Sequence, residues 1–337
     1  HLRYPMWLRT EQHRPGARVY ATLFADESSA RAILSTVITI QAMQLVGNAR
    51  YVSLLFEMVG LTGLVASFSI PVLIRHYSRR RVYTLGGLMI LGAATAFATV
   101  DLVGQVAGML LRVYGVACLN ITLSLYILQY IRRAEFADSE SRRIQYSAFA
   151  WVAGPALGVY LYEHLAPAVP FAVSGAMSLL LLAIFWILRL GERRAIAAPT
   201  ERPRRGPLRS IGRFVAQPRL RLAWAIVFTR TWWWVFFFIY TPVYAVQQGL
   251  GEMTGALIIS GGNALPFLAP WFARYTRRFG VRPVLRAGYL LSGSLTLLAG
   301  ALFDLPMFAI GALLAATVGT VILDSVGNVA FLAAVRP

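Results

Sequence analysis

The stretch His76-Tyr-Ser-Arg-Arg-Arg-Val-Tyr-Thr-Leu-Gly-Gly-Leu88 returns in the second part of the chain as Arg278-Phe-Gly-Val-Arg-Pro-Val-Leu-Arg-Ala-Gly-Tyr-Leu290. In both copies a short basic loop opens into an apolar run. Arginine, valine and glycine recur at matching positions, which are Arg80 and Arg282, Val82 and Val284, and Gly86 and Gly288. Such self-similarity indicates a duplicated architecture, and duplicated halves of apolar helices are typical of membrane transporters.

The composition places the chain in a membrane. Of its 337 residues, 58% are hydrophobic and only 14% are charged. Long continuous apolar runs favour helices, because the strands of a membrane barrel would alternate polar and apolar residues. The sequence therefore predicts an all-α polytopic membrane protein.

Hydropathy predicts ten spans. They lie at about 30–47, 51–74, 82–100, 103–130, 145–163, 169–188, 222–246, 253–273, 284–303 and 305–331. We expect a cytoplasmic segment at 1–29, a six-helix bundle at 30–188, a linker at 189–221 and a four-helix bundle at 222–337. The second half is two helices shorter than the first, so we expect a final pair that the given sequence lacks.

The charge pattern predicts the orientation. All 32 basic residues are arginines, and the net charge is +18. The arginines fall in alternate loops rather than along one face, which favours the positive-inside rule over nucleic-acid binding. We predict a cytoplasmic N-terminus in a bacterial inner membrane, with the lipid bilayer as surroundings and a monomeric chain.

The sequence contains no pattern typical of a cofactor or metal site. Cys118 is the only cysteine, and no histidine lies within an apolar run. A membrane enzyme would need acid–base or metal-binding residues clustered at one depth, and the loops opposite the arginine-rich ones are too short for such a site. Without a phosphate-binding loop, ATP-driven transport by this chain is not expected either.

Three motifs resemble those of the major facilitator superfamily. The loop Pro71-Val-Leu-Ile-Arg-His-Tyr-Ser-Arg-Arg80 is similar to the family's Gly-x-Leu-Ala-Asp-Arg-x-Gly-Arg-Arg, and Leu111-Arg-Val-Tyr-Gly115 is similar to its Arg-x-x-Gln-Gly. Gly154-Pro-Ala-Leu-Gly158 resembles the Gly-Pro-x-x-Gly motif of its exporters, drug/proton antiporters among them. The resemblance implies two six-helix bundles around a central cavity, lined by spans one, four, seven and ten.

The resemblance also implies gating roles. Arg75, Arg79 and Arg80 fall on the loop motif, although Arg75 stands where the family has an aspartate that helps lock one gating state. Gly154, Pro155 and Gly158 fall on the exporter motif. Physically, glycines four apart let two helices approach and slide, and proline permits a bend. Ordinary close packing explains these glycines equally well.

Ionisable residues inside a membrane are costly and usually functional. We identify Glu57 and Asp324 as the carboxylates within the spans and assign proton coupling to them. Similar depths along the helices lead us to expect two ion pairs, Glu57 with Arg112 and Arg230 with Asp324. Structural pairing without a role in transport is the alternative.

Polar and aromatic residues complete the predicted cavity. Trp234 and Phe237 share a side of span seven with Arg230, and aromatic rings beside a cation suit planar organic ligands. Polar residues on otherwise apolar helices face water or another helix rather than lipid. The remaining predicted substrate residues are Gln41, Gln44, Asn120, Asn263 and Asn328.

These patterns favour a secondary-active exporter of amphipathic or aromatic small molecules, driven by protons. The alternative is an importer or exchanger of small organic anions that Arg112 and Arg230 anchor, because arginine recognises carboxylate and phosphate groups well. The sequence also leaves open the alternative of a receptor or scaffold without transport activity.

Overall fold

The computed structural model describes residues 17–130, 136–187, 212 and 215–334. Within them the chain forms eleven α-helices, one short 3₁₀ helix (Leu265–Leu268) and no strand. In chain order the α-helices are α1 Ala17–Val46, α2 Ala49–His76, α3 Arg79–Phe97, α4 Leu102–Tyr130, α5 Phe136–His164, α6 Val169–Ile187, α7 Pro218–Gln247, α8 Glu252–Ala264, α9 Ala269–Phe279, α10 Val281–Ala301 and α11 Pro306–Ala334. The predicted all-α fold is confirmed.

Seven of the described helices are long and apolar enough to cross a membrane, namely α1, α2, α4, α6, α7, α10 and α11. The other three predicted spans correspond to α3, α5 and the pair α8–α9. The span expected at 253–273 is not one helix, because it passes through a 3₁₀ turn that contains Pro266. Proline cannot donate the hydrogen bond that would continue an α-helix.

The first helix starts earlier than hydropathy predicted. A start near residue 30 was expected, whereas α1 begins at Ala17. Asp26, Glu27 and Arg31 lower the local hydropathy, yet they do not interrupt the helix. Mean hydropathy therefore placed the start of the first span too late along the chain. The carboxylates of Asp26 and Glu27 were left outside the predicted span.

The chain clusters into two compact units. Unit 1 comprises 1–31, 53–150 and 171–195, and unit 2 comprises 32–52, 151–170 and 196–337, as far as these ranges are described. Both α1 and α5 thus contribute one end to each unit. The predicted domain boundaries at 29, 188 and 221 stay a prediction, and the linker 189–221 lies almost wholly outside the described residues.

Each unit contains an equivalent close contact between two helices at a pair of glycines. In unit 1, a Cβ on Gly86 of α3 would lie 2.9 Å from the carbonyl oxygen of Gly115 on α4. In unit 2, a Cβ on Gly288 of α10 would lie 3.1 Å from the carbonyl oxygen of Gly319 on α11. Small residues at such crossings let two backbones touch. The repeated glycine of the opening sequence motif therefore performs the same packing task in each half.

Each unit has its own apolar core. In unit 1 the rings of Tyr83 and Phe185 stack with centroids 4.2 Å apart. In unit 2 the fully buried Phe237 packs with Ile259 and with the ring of Trp233, whose centroid is 5.3 Å away. The core of unit 2 fixes the faces of α7 and α11 that carry the polar residues described next.

Candidate functional site

Arg230, Trp234 and Asp324 form a compact cluster inside unit 2. Arg230 Nε lies 2.9 Å from Asp324 Oδ1, and Trp234 Nε1 donates a hydrogen bond of 2.9 Å to Asp324 Oδ2. Both carboxylate oxygens therefore have a donor. The Arg230–Asp324 pair expected from the sequence is confirmed, whereas the indole bond to the same carboxylate was not anticipated.

Helix geometry explains why these three side chains meet. Arg230 and Trp234 are four residues apart on α7, so they lie one above the other on one face of the helix. Asp324 projects from α11, which packs along α7. The relative exposures of the Arg230 and Asp324 side chains are 14% and 31%. The pair is thus largely desolvated but is not sealed off, which leaves room for a proton or a ligand to reach it.

Aromatic rings extend the cluster along α7. The Trp234 ring centroid lies 5.9 Å from that of Phe238, which in turn lies 5.7 Å from Trp151 of α5. All three rings are half-buried. Phe237 lies beside Trp234 as expected, with ring centroids 6.0 Å apart, but its side chain is fully buried in the core of unit 2. Phe237 is three residues after Trp234 and Phe238 is four residues after it, and the sequence alone did not distinguish the two phenylalanines.

The second expected pair does not form. Glu57 is exposed on α2, and no ion pair within 4 Å joins it to Arg112 among the described residues. Arg112 of α4 instead donates from Nη2 to the carbonyl oxygen of Arg31 at 3.2 Å. Equal depth was a poor guide here, because it does not say which way a side chain points around its helix.

Glu57 and Asp324 are also not the only carboxylates inside the helices. Glu27 lies on α1, is fully buried and pairs with Arg31 at 3.3 Å. Its neighbour Asp26 is half-buried on the same helix. An acidic residue four positions before an arginine is a recognisable helical pair, and this spacing could have indicated the site once the helix was extended to residue 17.

The predicted polar residues have different surroundings. Gln41 is buried, Asn120 is half-buried, and Gln44 bonds to Tyr162 at the end of α5 and to Glu252 at the start of α8. Asn263 is 9% exposed, and its Nδ2 has no hydrogen-bond partner among the described residues. A buried amide with spare donors suits a ligand contact. The side chain of Asn328 lies outside the described part.

The predicted gating glycines pack tightly on α1. A Cβ on Gly154 would lie 2.6 Å from the Cβ of Ala32, and one on Gly158 would overlap the carbonyl oxygen of Ile33. α5 continues through Pro155, and next to it the backbone N–H of Ala156 donates to Ser260 Oγ of α8 at 3.2 Å. These glycines are thus needed for close packing, and their part in gating stays a prediction.

The predicted gating arginines lie around the turn between α2 and α3. Arg75 is exposed in the last turn of α2, and Arg79 opens α3. The guanidinium carbon of Arg80 lies 3.8 Å from the ring centroid of Trp186 on α6, in the range of a cation–π contact. This contact fixes the start of α3 to α6.

Comparison with known proteins identifies the family. The family model of the Major Facilitator Superfamily matches residues 20–336. The chain belongs to the Major Facilitator Superfamily. It is therefore a multi-pass membrane protein of a transporter family, and not an enzyme. A comparison with curated proteins gave no match.

Solved transporter structures share the fold. The nucleoside transporter NupG matches with 12% sequence identity and a TM-score of 0.62, over 94% of this chain and 90% of that chain. A peptide transporter POT in complex with alafosfalin matches with 15% identity and a TM-score of 0.63, over 94% and 81%. The superfamily transporter FucP in the outward conformation matches with 14% identity and a TM-score of 0.59, over 94% and 85%. At such identities the likeness concerns the fold alone.

Proposed function

We propose that this chain is a secondary-active transporter that exports amphipathic or aromatic small molecules in exchange for protons. The observation that carries the proposal is the cluster of Arg230, Trp234 and Asp324. It combines a carboxylate that can bind a proton, a cation that balances the carboxylate, and an aromatic ring that can stack on a ligand. Membership of a transporter family and the structural neighbours support secondary-active transport in general.

The coupling step uses the ion pair. While Asp324 is ionised, it holds Arg230 and accepts the Trp234 indole N–H. A proton that binds Asp324 removes the charge that attracts Arg230, so the two helices are no longer held together there. Since charge pairs in a partly desolvated site are strong, making and breaking this pair biases the equilibrium between two conformations.

The ligand class follows from the walls of the site. Trp234, Phe238 and Trp151 offer half-buried aromatic surface next to one cation and one carboxylate. Planar organic molecules bind such surfaces by stacking. Asn263 has a buried amide nitrogen without a partner among the described residues, and we propose that it donates to a polar group on the ligand. We therefore expect substrates with a flat apolar body and at least one polar substituent.

Export is the direction that the Gly154-Pro155-x-x-Gly158 motif favours, because it resembles that of family exporters. The tight contacts of both glycines with α1 agree with a helix that must slide on its neighbour. We place the chain in the bacterial inner membrane with a cytoplasmic N-terminus, as a monomer.

One observation favours the alternative substrate class of organic anions. Arg112 is half-buried and has no ion pair with a carboxylate among the described residues. A desolvated guanidinium without a counter-ion attracts carboxylate or phosphate groups. In this alternative Arg112 anchors the ligand, because the charge of Arg230 is already balanced by Asp324. The protein is then an importer or exchanger.

A growth screen separates the two candidates. Cells that express the protein are exposed to a panel of toxic planar compounds of either charge, with and without an uncoupler of the proton gradient. Uncoupler-sensitive resistance to aromatic compounds supports proton-driven export. Increased sensitivity to toxic anions that disappears in Arg112→Gln supports the anion alternative instead.

A further inference from the structure

Three polar side chains, from the ends of α1 and α5 and from the start of α8, are linked by hydrogen bonds in unit 2. Tyr162 OH of α5 donates to Gln44 Oε1 of α1 at 2.8 Å, and Gln44 Nε2 donates to Glu252 Oε1 of α8 at 2.5 Å. The amide orientation follows from its partners, because an ionised carboxylate only accepts hydrogen bonds. Gln44 thus links α5 and α1 to the first residue of α8.

We propose that Glu252 is a second proton-binding site, whose ionised form closes a latch between α8 and the ends of α1 and α5. Protonation of Glu252 opens this latch. The inference goes beyond the proposed transport reaction, because it concerns a carboxylate outside the Arg230–Asp324 site and requires no bound substrate.

The latch depends on charge for a simple reason. A hydrogen bond to an ionised acceptor is shorter and about twice as strong as one between neutral groups. Glu252 also begins α8, where the free N–H groups of a helix favour a negative charge. A neutral carboxylic acid loses both advantages, and its own proton competes for the neighbouring acceptors.

The surroundings of Glu252 set the pH range. Burial raises the pKa of Glu252, the bond from Gln44 lowers it, and the nearby charge of Glu163 on α5 raises it. Two further polar groups near this end have other partners, since His164 stacks on Tyr160 and Tyr244 OH of α7 donates to the carbonyl oxygen of Phe303. The latch is therefore closed above the pKa of Glu252 and opens as the pH falls through it.

The face of α8 behind the latch provides a reporter position. Glu252, Ala256 and Ser260 are spaced four residues apart, and Ser260 Oγ accepts the backbone N–H of Ala156 on α5. Ala256 lies between these two contacts and is fully buried. A thiol at position 256 is consequently shielded from solvent while the latch holds.

The test is maleimide labelling of the Ala256→Cys protein, purified in detergent, in a Cys118→Ala background. We expect slow labelling at about pH 8 and labelling about fivefold faster at a pH below the raised pKa of Glu252, located by titration, after correction for thiolate content, because losing the charge of one assisted hydrogen bond shifts an opening equilibrium by about that factor. Adding Glu252→Gln should make labelling fast at both pH values. Gln44→Leu should have the same effect, since it removes the link without removing a titratable group.

Glu163→Gln is the matched control. It removes a neighbouring carboxylate that makes no latch bond, so the pH dependence should persist, with its midpoint moved to lower pH because a charge that raises the Glu252 pKa is gone. The proposal is overturned if labelling is independent of pH in the parent, or if Glu252→Gln keeps the parent's pH dependence. Labelling needs no substrate, so either result is independent of whether Asp324 couples transport.

Discussion

Trp233 and Trp234 are neighbours in sequence, yet their indole nitrogens bond to different helices. Trp233 Nε1 donates to Thr296 Oγ1 of α10, and Trp234 Nε1 donates to Asp324 Oδ2 of α11, both at 2.9 Å. Successive residues on a helix point about 100° apart. One tryptophan thus serves the packing of unit 2 through a neutral hydroxyl, while the next supports a charged carboxylate.

This difference gives a matched pair of substitutions. Trp234→Phe removes a donor from an ionised acceptor, which costs roughly 1.5–3 kcal/mol, whereas Trp233→Phe removes a bond to a neutral hydroxyl, which costs about 1 kcal/mol. We expect a larger drop in thermal unfolding temperature in detergent for Trp234→Phe. Equal drops for the two variants would show that the indole contributes to the Asp324 site only through its ring.

The ion pair itself is expected to behave as a unit. Arg230→Met or Asp324→Leu alone leaves one largely desolvated charge unpaired, and each should destabilise the protein by about 3 kcal/mol. The double variant should recover most of that loss, because replacing both partners by apolar groups of similar size is often close to neutral. Thermal unfolding of the four proteins gives the coupling energy. Additive effects of the two substitutions would mean that the contact contributes nothing to stability.

The buried acidic residue of α1 should be structurally critical. Glu27 is fully buried and paired with Arg31, whereas the adjacent Asp26 is half-buried. Glu27→Ala leaves Arg31 without this partner and should cost about 3 kcal/mol, while Asp26→Ala should cost about 1 kcal/mol. Unfolding temperatures measured in the same detergent compare the two. A variant at position 26 that is as unstable as one at position 27 would contradict the burial argument.

Glycine substitutions test the contact between α1 and α5. In Gly158→Ala the new methyl group overlaps the Ile33 carbonyl oxygen, so we expect a loss of about 1–3 kcal/mol from overpacking. Gly293→Ala on α10 is the control, since nothing lies within 4 Å of its Cβ position. There alanine should stabilise the helix by up to about 1 kcal/mol. Thermal unfolding with opposite signs at the two positions is the expected result.

The repeat and the composition were sufficient to predict the fold class. The recurrence of Gly86 as Gly288 reflects two helix crossings that need a glycine, which is why a short motif revealed the architecture. The similar depths of Arg230 and Asp324 along their helices also predicted their ion pair correctly. It failed for Glu57 and Arg112, because the rotation of a helix about its axis depends on packing that one sequence does not reveal.

Two further features were beyond the sequence for physical reasons. Asp26 and Glu27 lowered the hydropathy of a segment that is nevertheless helical, so the site around Glu27 was missed. Phe237 and Phe238 both follow Trp234 closely, and only the packing of α7 shows that Phe237 enters the core. The Gln44–Glu252 bond joins residues distant in sequence, with no local pattern to indicate it.

Proton coupling at Asp324 is tested most directly with purified protein in liposomes, by following uptake of the planar aromatic dye ethidium under an imposed proton gradient. We expect gradient-driven uptake by the parent protein, and uptake in Asp324→Asn no faster than in protein-free liposomes. Asp304→Asn, which changes an exposed carboxylate in the turn before α11, should match the parent. Gradient-driven uptake by Asp324→Asn at the parent's rate would rule out Asp324 as the proton-coupling residue.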